Sequence, residues 1–292
     1  MGGGAWTRKA FEDYSTTKGM RTLSDGSLDI KSRGAQEVYK SRRLNDALNP
    51  LNVIRECRDS EEHPNTVPVI LGLDVTGSMG QAAVEVAAEL NNIMTELYSS
   101  IEDVEFMVMG IGDFSYDSAP LQVSQFESDI RIAEQLDKIW FEFGGGGNSY
   151  ESYTAAWKFA ITQTDLDCWN RGKRGIIITM GDENINPYIN GGNYKEATGI
   201  PVQGDIETAD LYEQVVEKFD VYHINVKHGQ SDWVNHKAWK DTIGVDHYYS
   251  CDVKTVPQVI AQIIRDHESG DFVRMRKEMD IGNWGNPNPI SW

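Results

Sequence analysis

Asp74, Thr76 and Ser78 stand at alternate positions in the stretch Asp74-Val75-Thr76-Gly77-Ser78-Met79. In an extended loop, alternation points the three side chains the same way. One carboxylate and two hydroxyls form a hard-oxygen set suited to Mg²⁺, which takes near-octahedral geometry and keeps some of its waters. Mn²⁺ accepts the same donors, whereas Ca²⁺ wants more of them. The set has too few carboxylates to saturate a divalent ion, so a partner's carboxylate could complete the shell. Such an ion is a binding device. Three other stretches carry oxygen donors: Gly112-Asp113, the run from Gly144 to Ser152 with Asn148 and Ser149, and Thr179-Met180-Gly181-Asp182-Glu183-Asn184.

In open α/β sheets, ligands sit beyond the carboxyl ends of the strands, where loops from different strands meet. The sequence predicts such a sheet. Residues 67–73 are a continuous apolar run, as in a strand buried on both faces. Residues 81–98 contain neither Gly nor Pro and put Ala83, Val86, Ala87, Leu90, Met94 and Leu97 on one helical face. Strands are expected at 104–111 and 121–126. The link between them is too short for a parallel crossover, so this pair should be antiparallel. Further helices are expected at 129–140, 152–162, 206–219 and 232–242, with strands at 175–180, 221–226 and 247–251. A last helix opens at Thr255 with a capping-box pattern and ends near Asp266. Strands alternating with helices imply a mostly parallel, doubly wound sheet with helices on both faces and one antiparallel strand. The four oxygen-rich stretches then fall on one edge.

Bulk composition narrows the function classes. Against 27 Lys and Arg stand 45 Asp and Glu, a formal charge of −18. So acidic a surface repels phosphate backbones and anionic lipid, which argues against nucleic acid and membrane partners. No apolar run approaches the roughly 20 residues of a membrane span. The first residues lack the apolar core of a signal peptide, and the three cysteines, Cys57, Cys168 and Cys251, form no CxxC pair. Reduced thiols in a cytoplasmic protein are the expectation. Residues 1–65 hold many of the scarce basic side chains and read as a partly ordered extension. Residues 66–268 read as the folded domain and 269–292 as a breaker-rich tail.

An apolar strand followed directly by Asp74-Val75-Thr76-Gly77-Ser78 resembles the DxSxS/DxTxS signature of von Willebrand factor A domains, here over residues 64–266. The resemblance implies a metal-ion-dependent adhesion site in which Thr76 and Ser78 touch the ion, and Asp74 and Asp182 act directly or through water. The family's remaining ligand is usually a Thr before the third helix. This chain has Gly147-Asn148-Ser149 there, similar to the GGGD-type loop of intracellular members, with Asn148 or Ser149 left to supply the oxygen. The resemblance further implies an intracellular bacterial or phage-type member that binds protein partners. Its neighbours would be AAA+ ATPases, kinases or phosphatases.

Other readings of the same residues stand beside this one. Ser78 or Thr76 could simply cap a helix. Asp113 could brace its loop, Glu183 is expected as a solvated neighbour, and His223, His228, His236 and His247 share no ligand spacing and read as structural. The stretch also resembles the DKTGT motif of haloacid-dehalogenase-type phosphotransferases, which would make Asp74 a nucleophile. Against that, Val75 stands where transporting ATPases carry Lys, Thr76 where most phosphatases carry a second Asp, and Asn186 where an acidic partner is required.

Overall fold

The computed structural model describes residues 4–24, 29, 39–98, 101, 103–144, 149–228 and 234–269. The chain begins with α1 (Arg8–Thr17) and β1 (Arg55–Cys57), followed by β2 (Val67–Asp74), α2 (Gly80–Leu97), β3 (Val104–Ile111) and β4 (Leu121–Val123). Next come α3 (Arg131–Leu136), β5 (Tyr150–Glu151), α4 (Tyr153–Thr162), β6 (Thr164–Leu166), β7 (Gly175–Gly181), β8 (Asn184–Ile185) and β9 (Tyr188–Ile189). The last elements are α5 (Gly191–Thr198), β10 (Ile206–Glu207), α6 (Thr208–Val215), β11 (Phe219–Lys227), α7 (His236–Ile243), β12 (Tyr248–Asp252) and α8 (Val256–Ser269).

Six strands form the main sheet in the order β12-β11-β7-β2-β3-β4. Five are parallel, and β4 runs antiparallel to β3 at the edge, as the short link demands. Side chains alternate between two cores. Val69, Leu71, Leu73, Ile176 and Ile178 face one side with α2, α3 and α8, while Ile70, Ile177 and Val221 face the other with α4, α6 and α7. The fold is thus a doubly wound α/β sheet covered on both faces, the arrangement that near-continuous apolar strands require.

Several element bounds differ from the sequence expectation. Strand β4 stops at Val123, because the Ser124 hydroxyl takes the Val108 N–H and donates to the Gln125 carbonyl. The helix expected over 129–140 shrinks to α3. In place of one helix over 206–219, Ile206 and Glu207 pair with Ile189 and Tyr188, α6 follows, and Phe219 already belongs to β11. Ahead of the last helix, Asp252 caps a 3₁₀ turn that leads into α8: its Oδ1 accepts from both the Thr255 N–H and hydroxyl.

The extension is part of the packed body where it is described. Trp6 and Phe11 are buried in the core that holds α2, and the Trp6 N–H donates to the Ser128 carbonyl at 2.9 Å. Strand β1 pairs in parallel with β6. From β1, the Arg55 guanidinium donates to the carbonyls of Ala47 and Val123 at 2.9 and 3.0 Å, which covers part of the edge that β4 would otherwise expose.

Candidate functional site

Parallel pairing brings the carboxyl ends of β2, β3, β7 and β11 to one edge. There the chain after β2 turns sharply into α2. Gly77 makes the turn possible: its N–H donates to the Gly144 carbonyl at 2.5 Å, and a Cβ would stand 2.6 Å from that oxygen. Phe143, beside Gly144, takes a positive φ of 52°, which is uncommon for a bulky residue. The close approach holds the turn after β2 against the segment leading into residues 145–148. Asn148 lies outside the described residues.

Four of the five residues singled out from the sequence come together in a hydrogen-bonded chain. Asp74 Oδ1 accepts from the Thr76 N–H at 2.9 Å and the Thr76 hydroxyl at 2.6 Å. Ser78 Oγ donates to Asp182 Oδ1 at 2.9 Å. The two hydroxyl oxygens of Thr76 and Ser78 lie 3.1 Å apart. Each hydroxyl has one proton and two acceptors in reach: Thr76 faces Asp74 and Ser78, and Ser78 faces Asp182 and Thr76. Two hydroxyls and two carboxylates thus crowd oxygen lone pairs into one small space, an arrangement that a cation would relieve. The chain also runs outward: Asp74 and Thr76 are fully buried, whereas Ser78 is exposed.

Three residues that the sequence reading did not assign to the site complete it. Tyr153, at the start of α4, donates its hydroxyl to Asp74 Oδ2 at 2.7 Å. It is held by edge-on contacts with His223 and Trp239, which stack on each other with centroids 3.6 Å apart. Trp239 in turn donates its indole N–H to the Glu183 carbonyl at 3.1 Å, bracing the loop that carries Asp182. Glu151 is the second. It sits in β5, which pairs with β8 just after Asp182, and it is 6% exposed with no described hydrogen bond to its Oε2. Ser149, by contrast, is exposed, and its backbone carbonyl accepts from Asn184. The third is His228, whose Nε2 lies 2.8 Å from Asp182 Oδ2. Of the four histidines expected to be structural, this one contacts a candidate site residue, while His223 is fully buried against Trp239.

Electrostatics point the same way as the lone pairs. Burial, then the nearby charge of Asp182, raises the carboxyl pKa of Asp74 against the opposing hydrogen bonds from Thr76 and Tyr153. Glu151 is raised further, by burial and then by Asp74, Asp113 and Asp117. His228 is shifted upward by its hydrogen bond to Asp182, which outweighs its partial burial. Among the described residues, no three His, Cys, Asp or Glu side chains gather around one point for a metal. A cation here would depend on hydroxyls as much as on carboxylates, and the donors present fit a divalent ion on those terms.

Asp113 and Glu183 have lesser roles. Asp113 Oδ1 accepts from the Ser115 N–H, and the Asp113 N–H donates to Asp117 Oδ2, both at 2.7 Å, so this residue braces its own loop. Glu183 is half-buried, with its carboxyl pKa raised by burial and by Asp182.

The buried Glu151 gives a prediction with an unusual sign. A carboxylate among other carboxylates destabilises a chain without a cation, and a neutral amide of the same shape removes that penalty. With chelator present, Glu151→Gln raises stability by about 1 kcal/mol in urea unfolding. The same variant gains less than the parent chain from added divalent ion. A loss of stability in chelator would mean that Glu151 is satisfied by something other than a cation.

No protein-family profile matches the chain, and no curated protein sequence matches it. Solved structures do. The pilus adhesin SpaC from Lactobacillus rhamnosus GG is similar over 73% of this chain at 13% identity, with a TM-score of 0.47. The von Willebrand factor domain of the type V pili tip protein Mfa5 from Porphyromonas gingivalis is similar over 77% of this chain and 98% of its own, at 11% identity and a TM-score of 0.42. The manganese-loaded TRAP protein of Plasmodium vivax is similar over 68% and 74%, at 13% identity and 0.39. Of the SpaC adhesin, this chain spans 31% of the length.

Proposed function

We propose that the chain is a metal-ion-dependent protein-binding module of the von Willebrand factor A type. Thr76 and Ser78 would hold a divalent cation with Asp182 and Glu151. Asp74, whose two oxygens already accept from Thr76 and Tyr153, would act on the ion through the Thr76 hydroxyl. The bound ion supplies a positive charge with room for an outside ligand, and a carboxylate on a protein partner suits that position. The observation that carries the reading is the convergence of two hydroxyl oxygens, 3.1 Å apart, with the carboxylates of Asp74 and Asp182.

The chain's own residues prepare the site without the ion. Ser78 is exposed at the outer end of the series while Asp74 and Thr76 are sealed beneath it, so a partner would be met at Ser78 and Asp182. The aromatic bed of Tyr153, His223 and Trp239 keeps water from beneath Asp74 and fixes the loop after β7. A phosphotransferase would need Asp74 free to attack. Its carboxylate is 0% exposed and hydrogen-bonded at both oxygens, which favours a role in holding over a role in bond making. An intracellular setting beside AAA+ ATPases, kinases or phosphatases belongs to the same proposal. Among the described residues, no helix is long and apolar enough to cross a membrane.

Calorimetric titration of the full chain with Mg²⁺ and with Mn²⁺ tests the proposal. We expect one site, with Ser78→Ala weakening both ions at least about tenfold, the loss of one charge-assisted contact. The exposed position of Ser78 leaves the fold intact. Titration with no heat, or equal affinity in the variant, would end this reading.

A further inference from the structure

We propose that His228 is itself a ligand of the cation bound here, and that its imidazole shifts the site from Mg²⁺ toward nitrogen-accepting first-row ions such as Zn²⁺ and Co²⁺. The inference rests on the reading of the site as a cation site and names the class of ion it takes.

Geometry carries the argument. Asp182 uses Oδ1 for Ser78 at 2.9 Å and Oδ2 for His228 Nε2 at 2.8 Å. One carboxylate thus joins Ser78 to the ring, and an ion taken up by Asp182 would draw the Nε2 lone pair once the hydrogen bond to Oδ2 is given up. The sheet brings them to one edge: β7 and β11 pair in parallel with Gly181 opposite Asn225, and beyond the strands the side chains of Asp182 and His228 meet. The His228 side chain is 29% exposed, free to reorient in a way that the fully buried His223 is not.

Chemistry gives the direction. Carboxylate and hydroxyl oxygens suit Mg²⁺, while imidazole suits Zn²⁺ and the later first-row ions, whose affinity for nitrogen rises along the series. The nitrogen would join Asp182 and the hydroxyls of Thr76 and Ser78. That is a mixed set, unlike the all-carboxylate and imidazole cages absent among the described residues.

Pulsed electron paramagnetic resonance on the full chain loaded with Mn²⁺ reads a directly bound nitrogen as a ¹⁴N coupling. We expect that coupling in the parent chain and its loss in His228→Ala with Mn²⁺ still bound. His228→Gln, which keeps a polar side chain, guards against an effect on folding and gives the same loss. In competition titrations, the preference for Zn²⁺ over Mg²⁺ falls at least about tenfold in both variants. Mn²⁺ bound without the coupling, or with the coupling kept in both variants, would overturn the role of His228 and leave the site standing. No bound Mn²⁺, or binding indifferent to Ser78→Ala, would overturn both.

Discussion

Asp182→Ala lowers Mn²⁺ affinity at least about a hundredfold, roughly 3 kcal/mol at 25 °C. The size follows from what one carboxylate does here. Its two oxygens accept from Ser78 and from His228, so removing it frees the Ser78 hydroxyl to turn away and leaves His228 without its acceptor. An ion would lose a charged donor and the orientation of a neutral one together. Hydrogen bonds to charged groups contribute about 1.5–3 kcal/mol each, and two are lost. Stability is expected to move far less, because the Asp182 side chain is 18% exposed in a loop already braced by Trp239. Titration of parent and variant with Mn²⁺, beside urea unfolding of both in chelator, separates the two effects. Asp113→Ala serves as the contrast: it should disturb the loop after β3 and leave Mn²⁺ affinity within about threefold. If Asp182→Ala binds as the parent does, the ion is not held where Ser78 and Asp182 meet.

The sheet was legible because its strands announce themselves. Residues 67–73 and 104–111 are apolar without a break, and the nine-residue link between β3 and β4 forbids a parallel crossover. The same logic of strand ends singled out Asp74, Thr76, Ser78 and Asp182, which the fold brings together. Glu151 escaped it. It owes its place to a two-residue pairing between Tyr150–Glu151 and Asn184–Ile185, a long-range contact too short to leave a periodic trace. Tyr153 reads from sequence as one more residue of α4, and only the packing shows its hydroxyl aimed at Asp74. His228 was within reach of the argument, since it follows β11 as Asp182 follows β7. Ligand spacing along the chain was the wrong signal for it, because the two residues meet across the sheet and not along it.

Gly181→Ala tests how tightly the site is built into the fold. A Cβ at this position would overlap the Tyr153 hydroxyl, lie 2.7 Å from its Cζ and stand 2.8 Å from Asp74 Oδ2. Neither neighbour can step aside cheaply. Tyr153 is fully buried edge-on against the stacked His223 and Trp239, and Asp74 is fully buried and fixed by Thr76. Strand β7 cannot retreat either, with β2 on one side and β11 on the other. The added methyl must therefore break the Tyr153–Asp74 hydrogen bond or displace the end of the strand. Overpacking costs about 1–3 kcal/mol and the loss of a hydrogen bond to a buried carboxylate a further 1.5–3. A destabilisation of about 3–5 kcal/mol in urea unfolding is the expected result, against a whole-domain stability of about 5–15 kcal/mol. Tyr153→Phe separates the two contributions. It removes the hydroxyl and its hydrogen bond, so adding Gly181→Ala on top should cost less than the same change in the parent chain, a coupling of at least about 1 kcal/mol. Strictly additive effects would mean that the strand yields and the hydroxyl is no obstacle. A Gly181→Ala chain within about 1 kcal/mol of the parent would show that the crowding beneath Asp74, and with it the rigidity assigned to the site, is not real.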